Sequence, residues 1–192
     1  MITDETELGV LRDKDQVKKT ISRLAHEVVE KMVGRQSVCL VATSPHSLVL
    51  AERVAQAIQR FSEGEAGPPD VTVRFFSKDV GDVCSARYDE GAGVVQLNIK
   101  PFEEKFYDWA IIVVEAISSG RNVLSAMTSP IGSPARFDRI GVFALIDAGG
   151  REVPITLTFV GVNVPPIPGT TVRVSLSEID GADEISRIPI EA

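Results

Sequence analysis

Three short apolar runs constrain the fold of this chain more than any other feature. They are SVCLVAT at 37–43, AIIVV at 110–114 and IGVFALI at 140–146. None of them alternates between apolar and polar residues, and such runs are typical of strands that are buried on both faces of a sheet. Because helical segments separate the runs, the sequence predicts an α/β fold with a mostly parallel central sheet and helices on both faces.

The segments between the runs carry helix signals. Asp13 and Gln16 match a capping box, and apolar residues then recur at helical spacing through a first helix over 15–32. A second helix follows the first run, and its apolar stripe ends at Phe61. A third helix is predicted from about Arg121, with Pro130 closing it. Further strands are predicted at 71–76, 94–99, 154–161 and 171–176.

Composition narrows the class of protein. The chain has 192 residues, 44% of them hydrophobic, which suits one domain over 1–192. Its net charge of −7 repels nucleic acid at long range. Cys39 and Cys84 lack metal-ligand spacing, so no metal site is predicted. With no signal peptide and no apolar run approaching about 18 residues, we expect a cytoplasmic protein that does not contact membranes.

The turn that follows the second apolar run is the candidate ligand site. Ligands of open α/β sheets lie beyond the carboxyl ends of the strands, and the N-terminus of a helix favours an anion there. Glu115 stands at the mouth of the turn. The candidate phosphate-binding residues are Ser118, Ser119, Gly120, Arg121 and Asn122. The alternative is an ordinary strand-to-helix connection without a ligand, since such connections contain the same residue types.

Several motifs resemble the pyrimidine operon attenuation proteins, which are relatives of the type I phosphoribosyltransferases. The most specific are RLAHE at 23–27, GREVPI at 150–155 and GVNVP at 161–165. The resemblance implies a three-layer type I phosphoribosyltransferase fold, with a candidate mobile flap over 77–99 and a small hood within 147–192. It also implies a homodimer that binds uridine nucleotides and attenuator RNA. Many members make UMP from uracil and phosphoribosyl pyrophosphate, and Mg²⁺ would be needed only if this chain is catalytically active.

The chain departs from the family's pattern in three segments that face the substrate. Where the family holds ribose with two adjacent acids, this chain has Val114 and then Glu115, which is left as the one catalytic candidate. A flap arginine of the family corresponds to Ser77. The equivalents of the basic pyrophosphate loop are Ser44, His46 and Ser47, with Pro45 between them. Because charge is lost in all three segments, the resemblance predicts a degenerate active site. Ser44 or Ser47 as the N-cap of the second helix is the alternative to an anion role.

The RNA-binding face of the family includes its first helix and its hood. The candidates on that face are Ser22, Arg23, His26 and Arg151. Two basic positions of the hood are instead Ala148 and Gly150, and Val162 replaces a lysine near the base. Each lost cation removes a phosphate contact, so we expect RNA binding to be weakened. A surface or interface histidine is the alternative for His26.

Three hypotheses follow. The first, which we favour, is a regulatory or scaffolding homodimer that binds a nucleotide or another phosphate ligand and is catalytically impaired. The second is an active phosphoribosyltransferase for uracil or another nucleobase, with an atypical ribose clasp made by Glu115 and Asn122. The third is an RNA-binding transcription attenuator without catalysis. We expect the dimer to bury Leu48 and Val49, which lie off the main stripe of the second helix.

Overall fold

The computed structural model describes residues 8–32, 37–62, 69–77, 82–98, 105–132 and 135–190. The strands within these ranges are β1 (Gly9–Arg12), β2 (Ser37–Ala42), β3 (Asp70–Ser77), β4 (Asp82–Asp89), β5 (Val94–Asn98), β6 (Phe106–Ile117), β7 (Arg136–Asp147), β8 (Phe159–Asn163), β9 (Thr170–Ser175) and β10 (Glu184–Pro189). The helices are α1 (Lys14–Lys31), α2 (Pro45–Phe61), α3 (Arg121–Gly132) and α4 (Ser177–Asp180). None of these helices is long and apolar enough to span a membrane.

The main sheet has seven strands in the order β5-β4-β3-β2-β6-β7-β8. The strands from β3 to β8 in that order run parallel, while β4 and β5 add an antiparallel hairpin at one edge. The three apolar runs lie in β2, β6 and β7, which are neighbours. A second, antiparallel sheet has the order β1-β10-β9. The predicted α/β fold with a mostly parallel sheet is therefore confirmed.

Apolar side chains of the central strands pack on both faces of the sheet. Leu40, Ile111 and Phe143 belong to the core cluster that includes α1 and α2. Cys39 and Ile112 belong to a second cluster, which includes residues of α3. Burial raises the pKa of the Cys39 thiol to about 12, so this thiol stays protonated and acts as a small apolar side chain.

The first helix matches its prediction closely. Asp13 Oδ1 accepts a hydrogen bond of 2.9 Å from the Gln16 N–H, and Gln16 Oε1 accepts one of 3.1 Å from the Asp13 N–H. This is the predicted capping box. It satisfies two N–H groups that the first turn of the helix leaves without partners.

Four expectations about element bounds and surfaces are wrong. α3 continues through Pro130 to Gly132, because a proline this close to the end of a helix removes one hydrogen bond without ending the helix. β6 continues to Ile117, which shortens the turn to 118–120, and β8 begins only at Phe159. Leu48 and Val49 are buried in the core around α2, so they offer no surface to a partner.

Candidate functional site

A small cavity lies at the carboxyl ends of β2 and β6. Its volume is about 110 Å³, which is below the size of pockets that enclose a whole drug-sized ligand. The predicted residues that line it are Ser44, Glu115, Ser118, Ser119, Gly120 and Asn122. Thr43 also lines it, and its signal in the sequence was a hydroxyl directly after a buried strand. The structure therefore brings together most of the residues predicted from the turn.

Gly120 fixes the shape of the turn. Its φ of +82° lies in the left-handed region, which glycine adopts without strain. A Cβ at this position would lie 2.9 Å from Val153 Cγ2 and 3.2 Å from Ile155 Cδ1, both in the chain that follows β7; this part of the chain, with β9, α4 and β10, is called the hood below. The Gly120 carbonyl accepts a 2.9 Å hydrogen bond from the Leu124 N–H and so begins α3. The turn needs glycine for its backbone angle and for the close approach of the hood.

Gly120→Ala should therefore destabilise the protein more than Gly150→Ala. Gly150 also has a positive φ, of +70°, but a Cβ there would have no neighbour within 4 Å. We expect about 1 kcal/mol from backbone strain in both variants and about 1 kcal/mol or more from the added contact in Gly120→Ala. Urea unfolding of the two variants measures the difference. Equal losses of stability would contradict the close packing of hood and turn.

The hood is tied to the turn by Arg151 and Glu152. Arg151 Nη1 donates to the carbonyl oxygens of Ile117 at 3.3 Å and Ser118 at 2.9 Å, and Nη2 lies 2.9 Å from Asp147 Oδ1. The Glu152 N–H donates to the Ser119 carbonyl at 3.0 Å. Glu152 Oε2 also accepts a 2.6 Å hydrogen bond from Arg121 Nε. Arg121 is thus paired outside the cavity, although its backbone stands at the start of α3.

Among the residues that the structure describes, one acid lines the cavity. Glu115 Oε2 accepts a 3.0 Å hydrogen bond from Ser44 Oγ, which links the end of β6 to the loop before α2. Val114, which the resemblance matches to the family's first acid, is 4% exposed; it packs in the apolar cluster on the α3 side and also lines the cavity. A valine there can neither accept a hydrogen bond nor carry charge. Glu115 is therefore the one carboxylate that the described residues bring to the cavity.

The loop between β2 and α2 is an internally satisfied helix cap. Ser44 is the N-cap of α2, and its Oγ accepts a 3.0 Å hydrogen bond from the Ser47 N–H. The buried Ser47 Oγ accepts from the N–H groups of Thr43 at 2.7 Å and Ser44 at 2.8 Å. Ser44 therefore caps α2, as the alternative interpretation predicted, and Ser47 completes the capping box. Three N–H groups of the loop are therefore occupied by its own side chains. Pro45 has no N–H group to offer a ligand.

His46 is directed to the hood rather than to the cavity. Its Nε2 lies 2.9 Å from Asp180 Oδ2 in α4, and the same oxygen accepts a 2.9 Å hydrogen bond from the Leu176 N–H. Burial raises the pKa of Asp180, but the hydrogen bonds from Leu176 and His46 outweigh it, so the net pKa is lowered. His46 therefore binds a carboxylate of its own chain.

The curated relatives identify the family. No protein-family model matches this chain. The chain is 30% identical over 178 residues to the bifunctional protein PyrR of Clostridium novyi, covering 92% of this chain and 95% of that protein. The bifunctional protein PyrR of Alkaliphilus metalliredigens is 32% identical over 178 residues, covering 91% of this chain and 92% of that protein. The chain belongs to the PyrR family. The resemblance stated from the motifs is thereby confirmed.

Solved structures place the PyrR-family chain among the type I phosphoribosyltransferase folds. The hypoxanthine-guanine phosphoribosyltransferase of Bacillus anthracis matches with a TM-score of 0.63 at 20% identity, over 95% of this chain and 99% of that chain. That of Schistosoma mansoni, in complex with IMP, matches with a TM-score of 0.65 at 16% identity, over 93% and 81% of the two chains. At these identities the matches confirm the fold alone.

Three of the four predicted RNA-face residues of this PyrR-family chain have partners within it. Arg23 Nη2 donates to the carbonyl oxygens of Val160 at 3.2 Å and Gly161 at 2.8 Å. Arg151 is 21% exposed and holds the carbonyl groups described above. His26 Nδ1 lies 3.4 Å from Glu30 Oε1, and Ser22 lines a groove between α1 and α2. The Arg23 and His26 side chains nevertheless stay more than half exposed.

The described residues around the cavity offer few ligands for Mg²⁺. Among the described residues, no three side chains of the His, Cys, Asp and Glu types converge in a way that could hold a metal ion. Mg²⁺ in phosphate-binding sites takes one or two carboxylates together with substrate phosphates and water. The Glu115 carboxylate of the cavity is already shared with Ser44. The flap equivalents Lys78, Asp79 and the side chain of Ser77 lie outside the described residues.

A charge cluster that sequence patterns did not reveal ties α2 to α4. Arg53 Nε donates to Glu178 Oε1 at 2.8 Å, and Nη1 donates to Asp183 Oδ2 at 2.9 Å. Burial raises the pKa of both carboxyl groups, but the hydrogen bonds from Arg53 outweigh it, so both net pKa values are lowered. A folded-state pKa below the unfolded value stabilises the fold at higher pH, and this stabilisation is lost as the pH falls through the folded-state pKa.

Arg53→Gln should therefore destabilise the protein at pH 7 more than at low pH. The cluster is partly exposed, so we expect a loss of about 1–3 kcal/mol at pH 7, below that of a fully buried pair. The loss should shrink as the pH falls below the ordinary values of 4.5 for Glu178 and 3.8 for Asp183. Urea unfolding at pH 7 and pH 3 measures both. Arg60→Gln, on the same helix, is the control, and a loss for Arg53→Gln that does not depend on pH would contradict the assignment.

Proposed function

We propose that this chain is a regulatory member of the PyrR family, a cytoplasmic homodimer of single domains that binds a nucleotide or another phosphate ligand and is impaired in catalysis. The observation that carries the proposal is the loop before α2. The N–H groups of Thr43, Ser44 and Ser47 already donate hydrogen bonds to serine hydroxyl oxygens of the same loop. Pyrophosphate would have to displace these bonds, and the loop brings no lysine or arginine to compensate.

The turn at 118–122 supports the binding part of the proposal. The hydroxyl groups of Ser118 and Ser119 and the first turn of α3 border the cavity, where the helix dipole favours negative charge. Glu115 lines the same cavity, and a carboxylate repels a dianion unless the ligand also donates a hydrogen bond to it. The ligand that fits both features carries a phosphate group together with a hydroxyl group. Nucleotides and sugar phosphates have this chemistry.

A thermal-shift series tests the binding. UMP, ribose 5-phosphate and inorganic phosphate are the probes, and a ligand at a hundred times its Kd adds about 2.7 kcal/mol to the stability of the folded state. Ser119→Ala with Asn122→Ala should abolish the shift. Ser125→Ala is the control, because this exposed serine of α3 donates to the Arg121 carbonyl and does not line the cavity. Failure of every probe to raise the melting temperature, or equal shifts in all variants, would refute the site.

One observation favours a second candidate function. The Ser44–Glu115 hydrogen bond brings the remaining acid to the loop before α2, and Asn122 lines the same cavity. An active phosphoribosyltransferase with an atypical ribose clasp would use this arrangement. An RNA-binding attenuator is less well supported, because Arg23 and Arg151 already donate to carbonyl groups of their own chain.

We expect light scattering of the purified protein to give twice the chain mass of 20.7 kDa at micromolar concentration. Since Leu48 and Val49 are buried, other apolar residues must supply the interface. Phe106 and Leu124 are large apolar side chains left exposed, and burying such surface favours association. Phe106→Ser with Leu124→Ser should then weaken the dimer. A mass of one chain for the unmodified protein would contradict the proposed homodimer.

A further inference from the structure

A groove of about 460 Å³ lies between α1 and α2, away from the phosphate turn. Ile21 of α1 and Ala57 of α2 give it an apolar floor. Phe61 is 40% exposed at the end of α2 and lies at one end of the groove. Arg53 and Asp183 also line the groove. Arg53 precedes Phe61 by eight residues, so the groove is about 12 Å long at the rise of an α-helix. This volume lies in the range of small-molecule pockets.

Two cations of the groove are available to a ligand. Lys18 and Arg60 are exposed on its rim, and among the described residues neither forms an ion pair. Arg53 differs, because Glu178 and Asp183 already neutralise it. The positive charge that can act on a ligand therefore comes from Lys18 and Arg60, while the Arg53 cluster has one more carboxylate than it has cations. This positive rim stands on a chain whose net charge is −7.

We propose that this groove binds a small amphipathic anion, an aromatic or branched apolar group that carries one carboxylate, sulfonate or phosphate. The apolar group would lie on Ile21 and Ala57 and cover the exposed ring of Phe61. The anionic group would pair with Lys18 and Arg60, where a charge-assisted hydrogen bond is stronger than a neutral one. The site is separate from the phosphate turn and does not depend on it.

The groove favours a small molecule over RNA. Single-stranded RNA is held by stacked aromatic rings along a continuous basic track. Within the described part of the chain, Phe61 is the one aromatic ring that lines the groove, and it already packs edge-to-face with the His26 ring at a centroid distance of 5.4 Å. Glu30, beside His26, and Asp183 interrupt the positive charge along the two helices.

The probe for the test is 8-anilinonaphthalene-1-sulfonate, an aromatic sulfonate whose fluorescence rises when it leaves water. We expect saturable binding at one site per chain. Lys18→Gln with Arg60→Gln should weaken binding about tenfold or more, since two charged contacts are lost. Lys14→Gln with Lys19→Gln is the matched control, because it removes the same charge from α1 outside the groove lining. Gln56→Trp, at an exposed rim position of the groove, should block the probe without touching the core.

Three results would overturn the proposal. The first is probe binding that is unchanged by the Lys18 and Arg60 substitutions or by Gln56→Trp. The second is an equal loss of affinity in the control pair, which would reduce the effect to net charge. The third is displacement of the probe by a short oligoribonucleotide at lower concentration than by naphthalene sulfonate, which would assign the groove to RNA. Melting temperatures of all variants within a few degrees of the unmodified protein would keep these comparisons valid.

Discussion

With uracil, phosphoribosyl pyrophosphate and Mg²⁺ supplied in excess, we expect the unmodified protein to form no measurable UMP. The resemblance places Val114 where the family has an acid that holds ribose, and N–H groups of the loop at 43–47 donate to serine hydroxyls of the same loop. The resemblance likewise places Ser77 where the family has a flap arginine. If each lost contact removes about 1.5 kcal/mol of transition-state stabilisation and the losses add, kcat/KM falls by roughly a thousandfold or more.

Restoring one contact should not restore activity. Val114→Asp places a carboxylate at the position matched to the family's first acid, but Val114 is 4% exposed and packs against apolar side chains on the α3 side, although it also lines the cavity. Burial raises the pKa of such a carboxyl group and makes the variant less stable. In this variant the N–H groups of the loop before α2 still donate to the serine hydroxyls of the same loop. Val114→Asp should therefore remain inactive in a radiolabelled uracil assay in which a known uracil phosphoribosyltransferase serves as the positive control.

Robust UMP formation by the unmodified protein would contradict catalytic impairment and favour the second candidate function. Glu115→Ala separates the two functions further. If Glu115 and Asn122 form an atypical ribose clasp, Glu115→Ala should abolish that activity, while Ser125→Ala leaves it unchanged. A failure of UMP formation together with a thermal shift by UMP would support binding without catalysis.

The fold could be predicted from sequence because its signals are local. The apolar runs of β2, β6 and β7 are continuous in the chain, and the capping box of α1 spans four residues. Burial on both faces follows from the lack of alternation in each run. The errors fall where local rules compete with tertiary packing. Pro130 is tolerated inside α3, and Leu48 and Val49 are covered by elements distant in sequence.

The candidate site could be predicted only in part, because long-range contacts determine which groups stay available. The sequence places Ser118, Ser119 and Gly120 at the end of a buried strand, and the cavity lies there. No sequence pattern indicates that Arg151 would hold the carbonyl groups of 117 and 118, about thirty residues earlier in the chain. His46 likewise meets Asp180, which is 134 residues away. Such pairings depend on the assembled hood.

Gly161→Ala should destabilise the protein more than either Gly120→Ala or Gly150→Ala. A Cβ at position 161 would overlap the Leu145 carbonyl oxygen and lie 2.8 Å from Thr20 Cγ2. The first neighbour is backbone of β7, which cannot move without disturbing its pairing with β8, and the second belongs to α1. We expect a loss of about 3 kcal/mol, the upper end of typical overpacking costs, and a melting temperature lower by about 6–12 °C. Gly91→Ala is the control, since its Cβ would meet only Asp89 Oδ1 at an ordinary 3.4 Å.

Because Arg23 also donates to the Gly161 carbonyl, the Gly161→Ala substitution should loosen the attachment of α1 to the sheet edge. Calorimetry measures the first effect and hydrogen exchange of the α1 amides the second, and an unchanged melting temperature for Gly161→Ala would show that α1 and β7 do not approach β8 this closely.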